Sequence, residues 1–204
     1  MSGLKDLAAD AARLGGVGRA VLGLVGAPAS GKSTLAERLA AEVAGAVVLP
    51  MDGFHLDDGI LVPRGLRPRK GAPETFDVGG FVSLLRRVRA GETVYAPLFD
   101  RNLELARAAA TEIGADAPLV IVEGNWLLHD AGGWGAVRPL LDACWYLEVP
   151  EAELAARLTA RWRGFGLTGA EVRRKVQDND LPNARLVAQG RGRADRIVTP
   201  DAPG

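Results

Sequence analysis

The residues Gly26-Ala27-Pro28-Ala29-Ser30-Gly31-Lys32-Ser33-Thr34 carry the complete Walker A spacing, a glycine-rich loop closing on lysine and hydroxyls. Such a loop wraps backbone N–H groups around an anion, and a helix opening behind it aims further free N–H groups at the same phosphates. Lys32 is expected to reach the β- and γ-phosphates of a nucleoside triphosphate, and the Ser33 hydroxyl to ligate Mg²⁺. Two carboxylates stand where they could complete this chemistry. Glu123 closes the apolar run Leu119-Val120-Ile121-Val122 and could hold the metal directly or through water, or simply cap its strand. Asp52 closes a second apolar run and could take the proton of a hydroxyl nucleophile. Asp52-Gly53 could equally be only a turn. His55, close behind, could orient an acceptor.

The elements that must position these residues are legible as alternating strands and helices. Ala20–Val25 reads as a strand buried on both faces, and a helix should run from Gly31 or Lys32 to Ala44. Ala46–Met51 is a second strand, Phe81–Val88 marks a helix ended by Gly91, and Leu119–Val122 and Ala143–Val149 are further buried strands. Glu151–Trp162 and Glu171–Ala188 carry helical spacing, the latter interrupted by Pro182, and Arg196–Val198 is a last short strand. Thr93–Phe99 and Leu103–Ala109 are two extended pieces that could pair as a hairpin. Ahead of all this, Leu4–Leu14 is an amphipathic helix broken by Gly15–Gly18. The pattern predicts an α/β fold, a parallel sheet with helices on both faces. One domain over 1–204 is the economical organisation, with 1–18 as N-terminal helix and linker, 52–77 as a substrate loop and 157–180 as a lid region.

Composition excludes several alternatives. The chain has 204 residues, with 25 basic and 25 acidic side chains and no net charge, so nothing global draws it to nucleic acid or an anionic membrane. The one cysteine, Cys144, lies in an apolar run, which rules out a disulfide framework within the chain. No signal peptide and no membrane span is recognisable, so a cytoplasmic location is expected. There is no Asn-Lys-x-Asp element for reading guanine and no Walker B aspartate.

Met51-Asp52-Gly53-Phe54, followed by Arg64-Gly65-Leu66-Arg67-Pro68-Arg69-Lys70-Gly71-Ala72-Pro73-Glu74-Thr75-Phe76-Asp77, resembles bacterial pantothenate kinase. The phosphate loop and Val122-Glu123-Gly124 resemble the wider P-loop kinase family that also holds uridine kinase and phosphoribulokinase. The segment Asp178-Asn179-Asp180-Leu181-Pro182-Asn183-Ala184 is similar to the small bacterial nucleoside/sugar kinase-like proteins of that family, some of them labelled fructokinases associated with fructose transport. The likeness spans about Val21 to Val198. It implies an ATP-dependent, Mg²⁺-requiring kinase built on a P-loop NTPase fold with about five parallel strands and a small lid. It matches Asp52 to the catalytic aspartate, Lys32 and Ser33 to the nucleotide and metal residues, and Arg161 and Arg163 to lid arginines. Arg157, Arg161 and Arg163 all lie on one helix, whose basic face could equally be solvated. The chain is shorter than pantothenate kinase and lacks the tyrosine-rich substrate segment of uridine kinase.

The acceptor is therefore the open question. Arg64, Arg67, Arg69 and Lys70 crowd positive charge beside Glu74 and Asp77. They could bind an anionic group on the acceptor, pair internally to shape the loop, or stay solvated. Trp126 and His129 could line the acceptor pocket, although Trp126 could instead be core. A small hydroxyl metabolite such as fructose or a nucleoside is the leading expectation for the partner. A pantothenate-like acid, or a nucleotide-binding regulator with slow ATP hydrolysis, are the alternatives. Oligomeric state stays open, a homodimer included.

Overall fold

The computed structural model describes residues 3–15 and 18–199; part of the glycine-rich break expected after the first helix lies outside them. Helix α1 (Leu4–Leu14) buries Leu7, Ala8 and Ala11 and ends at Gly15. A five-stranded sheet follows, formed by β1 (Ala20–Gly26), β2 (Val47–Pro50), β5 (Leu119–Gly124), β6 (Ala143–Leu147) and β7 (Arg196–Val198), in the order β2-β5-β1-β6-β7 with every pairing parallel. Parallel strands need crossovers, and these supply the covering layers.

Alternation along the strands sorts the core into two faces. Leu22, Leu24, Leu119 and Ile121 pack with α1 and with α2 (Lys32–Glu42). Past the short α3 (Asp58–Leu61), α4 (Val78–Arg89) covers the other face, its Phe81, Leu85 and Val88 packing with Val21, Val25, Val120 and Val122. Burial on both faces is why β1, β5 and β6 are buried throughout and, Glu123 near the end of β5 apart, almost wholly apolar. A third, smaller cluster joins Ala27 of the phosphate loop to Leu154 and Leu158 of α5 (Glu151–Gly164), Val172 of α6 (Gly169–Lys175), and Leu181 and Ala184 of α7 (Leu181–Ala188).

Several boundaries differ from the sequence expectation, each for a local reason. Helix α2 stops at Glu42 because Val43 turns to extended backbone, φ −113°, and buries its side chain. Strand β2 stops at Pro50 because Met51–Phe54 coils into a 3₁₀ turn. Pro182 does not interrupt its helix. Between α6 and α7 the backbone is π-helical over Val176–Asp180, with the Leu181 N–H bonded to the Val176 carbonyl, and Pro182 falls in the first turn of the resumed α-helix, where its missing N–H costs least. The extended pieces do form an antiparallel hairpin, β3 (Val94–Asp100) with β4 (Leu105–Ile113), so Leu103 lies in its turn and not in a strand.

Candidate active site

In this parallel sheet the carboxyl ends of β1, β2, β5 and β6 share one edge, and each delivers one part of the site. β1 runs into the phosphate loop, β2 into Asp52, β5 ends on Glu123-Gly124, and β6 leads through Pro150 into α5. A cavity of about 580 Å³ opens there, lined among others by Lys32, Ser33, Asp52, His55, Asn125 and Arg161.

The loop is shaped for an anion. Gly31 caps α2 at φ +91°, and Ala29 also takes a left-handed conformation at φ +64°, alternations that turn successive N–H groups inward. Pro28, Ala29, Gly31, Lys32, Ser33 and Thr34 line the cavity. Gly26, Ala27 and Ser30 are buried beneath it, with the Ser30 hydroxyl lacking a hydrogen-bond partner among the described residues.

Ser33 Oγ donates to Glu123 Oε1 at 3.1 Å, bringing together the two residues expected to hold Mg²⁺. Burial pushes the Glu123 carboxyl up, and Lys32 and the Ser33 hydroxyl recover only part of that. Among the described residues no group of three or more His, Cys, Asp or Glu side chains could hold a metal by itself. That donor set suits Mg²⁺, a hard cation usually bound by one or two protein oxygens, water and substrate phosphates. Asn125 Oδ1, buried and without a hydrogen-bond partner among the described residues, adds an acceptor for a ligand or metal-bound water.

Asp52 has the opposite electrostatics. Burial alone would raise its carboxyl, but positive charge at His55, Lys32, Arg101 and Arg161 outweighs that and holds it below its ordinary value. His55 is itself lowered, chiefly by burial and against the pull of the Asp52 charge. His55 Nδ1–H donates to the Asp52 carbonyl at 2.7 Å, which leaves Nε2 as an acceptor in the neutral ring. Its ring lies 4.0 Å from Phe76 and 4.7 Å from Phe99, centroid to centroid.

The basic loop is largely self-paired. Lys70 Nζ meets Asp58 Oδ1 at 2.9 Å and the Glu104 carbonyl at 2.8 Å, with the Phe99 ring beneath it. Arg67 Nε reaches Asp58 Oδ2 at 2.5 Å, and Arg69 Nε reaches Glu74 Oε1 at 2.8 Å. Arg67 and Lys70 line the cavity; Arg69 does not. Arg64 is exposed in a turn and also lies outside the cavity. Trp126 is fully buried and donates Nε1–H to the Gly71 carbonyl at 3.1 Å, so it braces the basic loop and lies outside the cavity lining. His129 packs against Trp126 and is absent from the lining.

Helical spacing separates the three arginines of α5. Arg157 and Arg161, one turn apart, face the phosphate loop. Arg157 Nη1 donates to the Ala29 carbonyl at 3.2 Å, which ties helix to loop, while Arg161 lines the cavity. Arg163, two residues further, points to solvent on the other side. Sequence reasoning missed Arg101, whose Nη2 lies 2.9 Å from Asp52 Oδ2, and it did not connect Asn179, Asp180 and Asn183 with the cavity they line. Arg101 stands on a hairpin turn remote in sequence from Asp52, a pairing no local pattern announces. The three polar residues, buried on the π-helical segment and the turn after it, had a signal in that their polarity breaks a helical apolar pattern.

No protein-family model matches the chain. Among curated proteins, it is 38% identical over 186 residues to YggC of Escherichia coli K12, covering 88% of this chain and 77% of that one. It is 32% identical over 199 residues to the candidate uridine kinase C227.14 of Schizosaccharomyces pombe, covering 90% and 81%. Among solved structures, the candidate fructose transport system kinase of Silicibacter sp. TM1040 superposes with a TM-score of 0.90 at 44% identity, covering 97% of this chain and all of that one. With its phosphate loop, its parallel sheet and these relatives, the chain belongs to the P-loop kinase family that includes uridine kinase, and is a phosphotransferase.

Proposed function

We propose that the protein transfers the γ-phosphoryl group of ATP, with Mg²⁺, to a hydroxyl of a small uncharged metabolite, a sugar such as fructose or a nucleoside. The observation that carries this reading is the convergence of Lys32, Ser33 and Asp52 on one cavity, with Glu123 bonded to Ser33 at its edge. Lys32, the loop N–H groups and Arg161 bind and orient the triphosphate; Ser33 and Glu123 would hold the metal, which would neutralise charge on the phosphates. Asp52 accepts the proton of the acceptor hydroxyl as its oxygen bonds to the γ-phosphorus and the bond to the β–γ bridging oxygen breaks.

Charge pairing supports an uncharged acceptor. The cations of the loop and hairpin that line the cavity, Arg67, Lys70 and Arg101, are paired with Asp58, Glu104 and Asp52. An anionic acceptor would compete with carboxylates already in place, whereas a neutral polyol needs only hydrogen bonds and the aromatic wall of His55, Phe76 and Phe99. The loop's likeness to pantothenate kinase favours the competing reading, an acid acceptor.

Matched acceptor pairs test the choice: fructose against its monophosphates, and uridine against its monophosphate, with pantothenate as the acid. ADP release and phosphorylated product are measured together. The neutral member of one pair should raise ADP release strongly with stoichiometric product. Activation only by pantothenate or by the phosphorylated members would contradict an uncharged acceptor, and activation by none would favour a nucleotide-binding regulator.

A further inference from the structure

The hairpin β3–β4 crosses the catalytic edge, and its contacts with the segment after β2 are unusually close. A Cβ on Gly53 would lie 2.2 Å from the Pro97 carbonyl oxygen, so only glycine lets β3 pack here, at the bulge between Ala96 and Leu98. Beyond the bulge, Phe99 packs against His55 with the rings tilted by 44°, and Lys70 bonds the Glu104 carbonyl at the far side of the turn. The turn is also fixed internally: Asp100 Oδ1 accepts from the N–H groups of Asn102 and Leu103 at 3.0 and 3.2 Å. A tip anchored on both sides presents Arg101 to the Asp52 carboxylate. Its Nη2–Oδ2 distance is 2.9 Å, and among the described residues no other side chain hydrogen-bonds that carboxylate.

We infer that Arg101 is a positioning residue for Asp52: from the hairpin tip it pins Oδ2, leaving Oδ1 to meet the acceptor hydroxyl. This rests on the reading of Asp52 as the base. A carboxylate held at one oxygen has lost the rotation that would interchange its two oxygens, and the acceptor hydroxyl then meets a fixed partner. Lys32, His55, Arg161 and Glu123 also bear electrostatically on Asp52, but none of them is hydrogen-bonded to its carboxylate. Arg101 also links the hairpin to the reaction: any shift of the hairpin displaces the base.

The test is a double-mutant cycle on the full chain, with Arg101→Ala, Arg101→Lys, Asp52→Asn and Arg101→Ala/Asp52→Asn. Labelled phosphoryl transfer from Mg·ATP is measured with D-fructose, uridine and water as the acceptors. Arg101→Ala should lower kcat about tenfold or more, the scale of one charge-assisted hydrogen bond, with KM for ATP within about twofold. Arg101→Lys should fall between, and added guanidinium should restore part of the Arg101→Ala loss. In the Asp52→Asn background, Arg101→Ala should cost nothing further. Losses that multiply, or an Arg101→Ala enzyme with native kcat, would overturn the inference. An Asp52→Asn enzyme with native turnover would instead sink the assignment of the base, a distinct result. Arg101 is half exposed, so unfolding midpoints matching the parent separate a positioning effect from lost folding.

Discussion

At the residue scale, two carboxyls on one sheet edge, Glu123 buried and Asp52 partly exposed to the cavity, are driven apart by their surroundings. Asp52 is kept ionised by the positive charges around it, while burial favours a proton on Glu123. The acid limb of turnover controlled by Asp52 should therefore lie below the ordinary carboxylate range, and a pH–rate profile measures it. For Glu123 the sign is reversed. Its folded value is raised, so the folded state binds more protons than the unfolded chain between its ordinary and raised values, and stability falls as pH climbs through that window. Glu123→Gln should consequently raise the thermal midpoint of the ligand-free protein near neutral pH. It should also abolish the additional stabilisation by Mg·ATP over ATP alone. A lower midpoint for that variant would show that Glu123 is held ionised by something else. Cys144 offers a simpler check: burial pushes its thiol up to about 12, so alkylation should require unfolding.

At the element scale, the strands and the phosphate loop were legible because their signals are local. An apolar run bounded by glycine gives β1, and Walker A spacing places α2 directly behind it. The length and charge of the basic loop were visible as well, but not its wiring. Arg69 is satisfied by Glu74, five residues away, whereas Lys70 turns to Asp58 and across to Glu104. Such pairings depend on how the hairpin seats over the loop, and that is set by Gly53 against Pro97, a tertiary contact with no sequence period. Trp126 illustrates the same limit. Its place after Glu123-Gly124 suggested a pocket wall, yet the side chain points into the core and holds Gly71. Gly53→Ala should force β3 away from the catalytic segment, with turnover reduced by at least tenfold and the hairpin's amides exchanging faster; native turnover would contradict the seating described here.

At the scale of the whole molecule, three apolar clusters among the described residues divide the labour. Two large ones flank the sheet, while the smaller one ties the phosphate loop to α5, α6 and α7. Small clusters open more readily than large ones, so the α5–α6 region should be the least protected part of the site without nucleotide. Mg·ATP should slow hydrogen exchange across Glu151–Lys175 more than in the sheet; a uniform effect would argue against a separate lid. Among the described residues no helix is long and apolar enough to cross a membrane. The central claim is that Asp52 takes the proton in phosphoryl transfer from bound Mg·ATP, and one comparison tests it directly. Transfer to the best acceptor and ATP affinity by calorimetry should be measured side by side for the parent and Asp52→Asn. The prediction is a loss of transfer of about 10²-fold or more, in the range for a positioned base, with ATP affinity within about threefold. Near-native transfer by Asp52→Asn would contradict it.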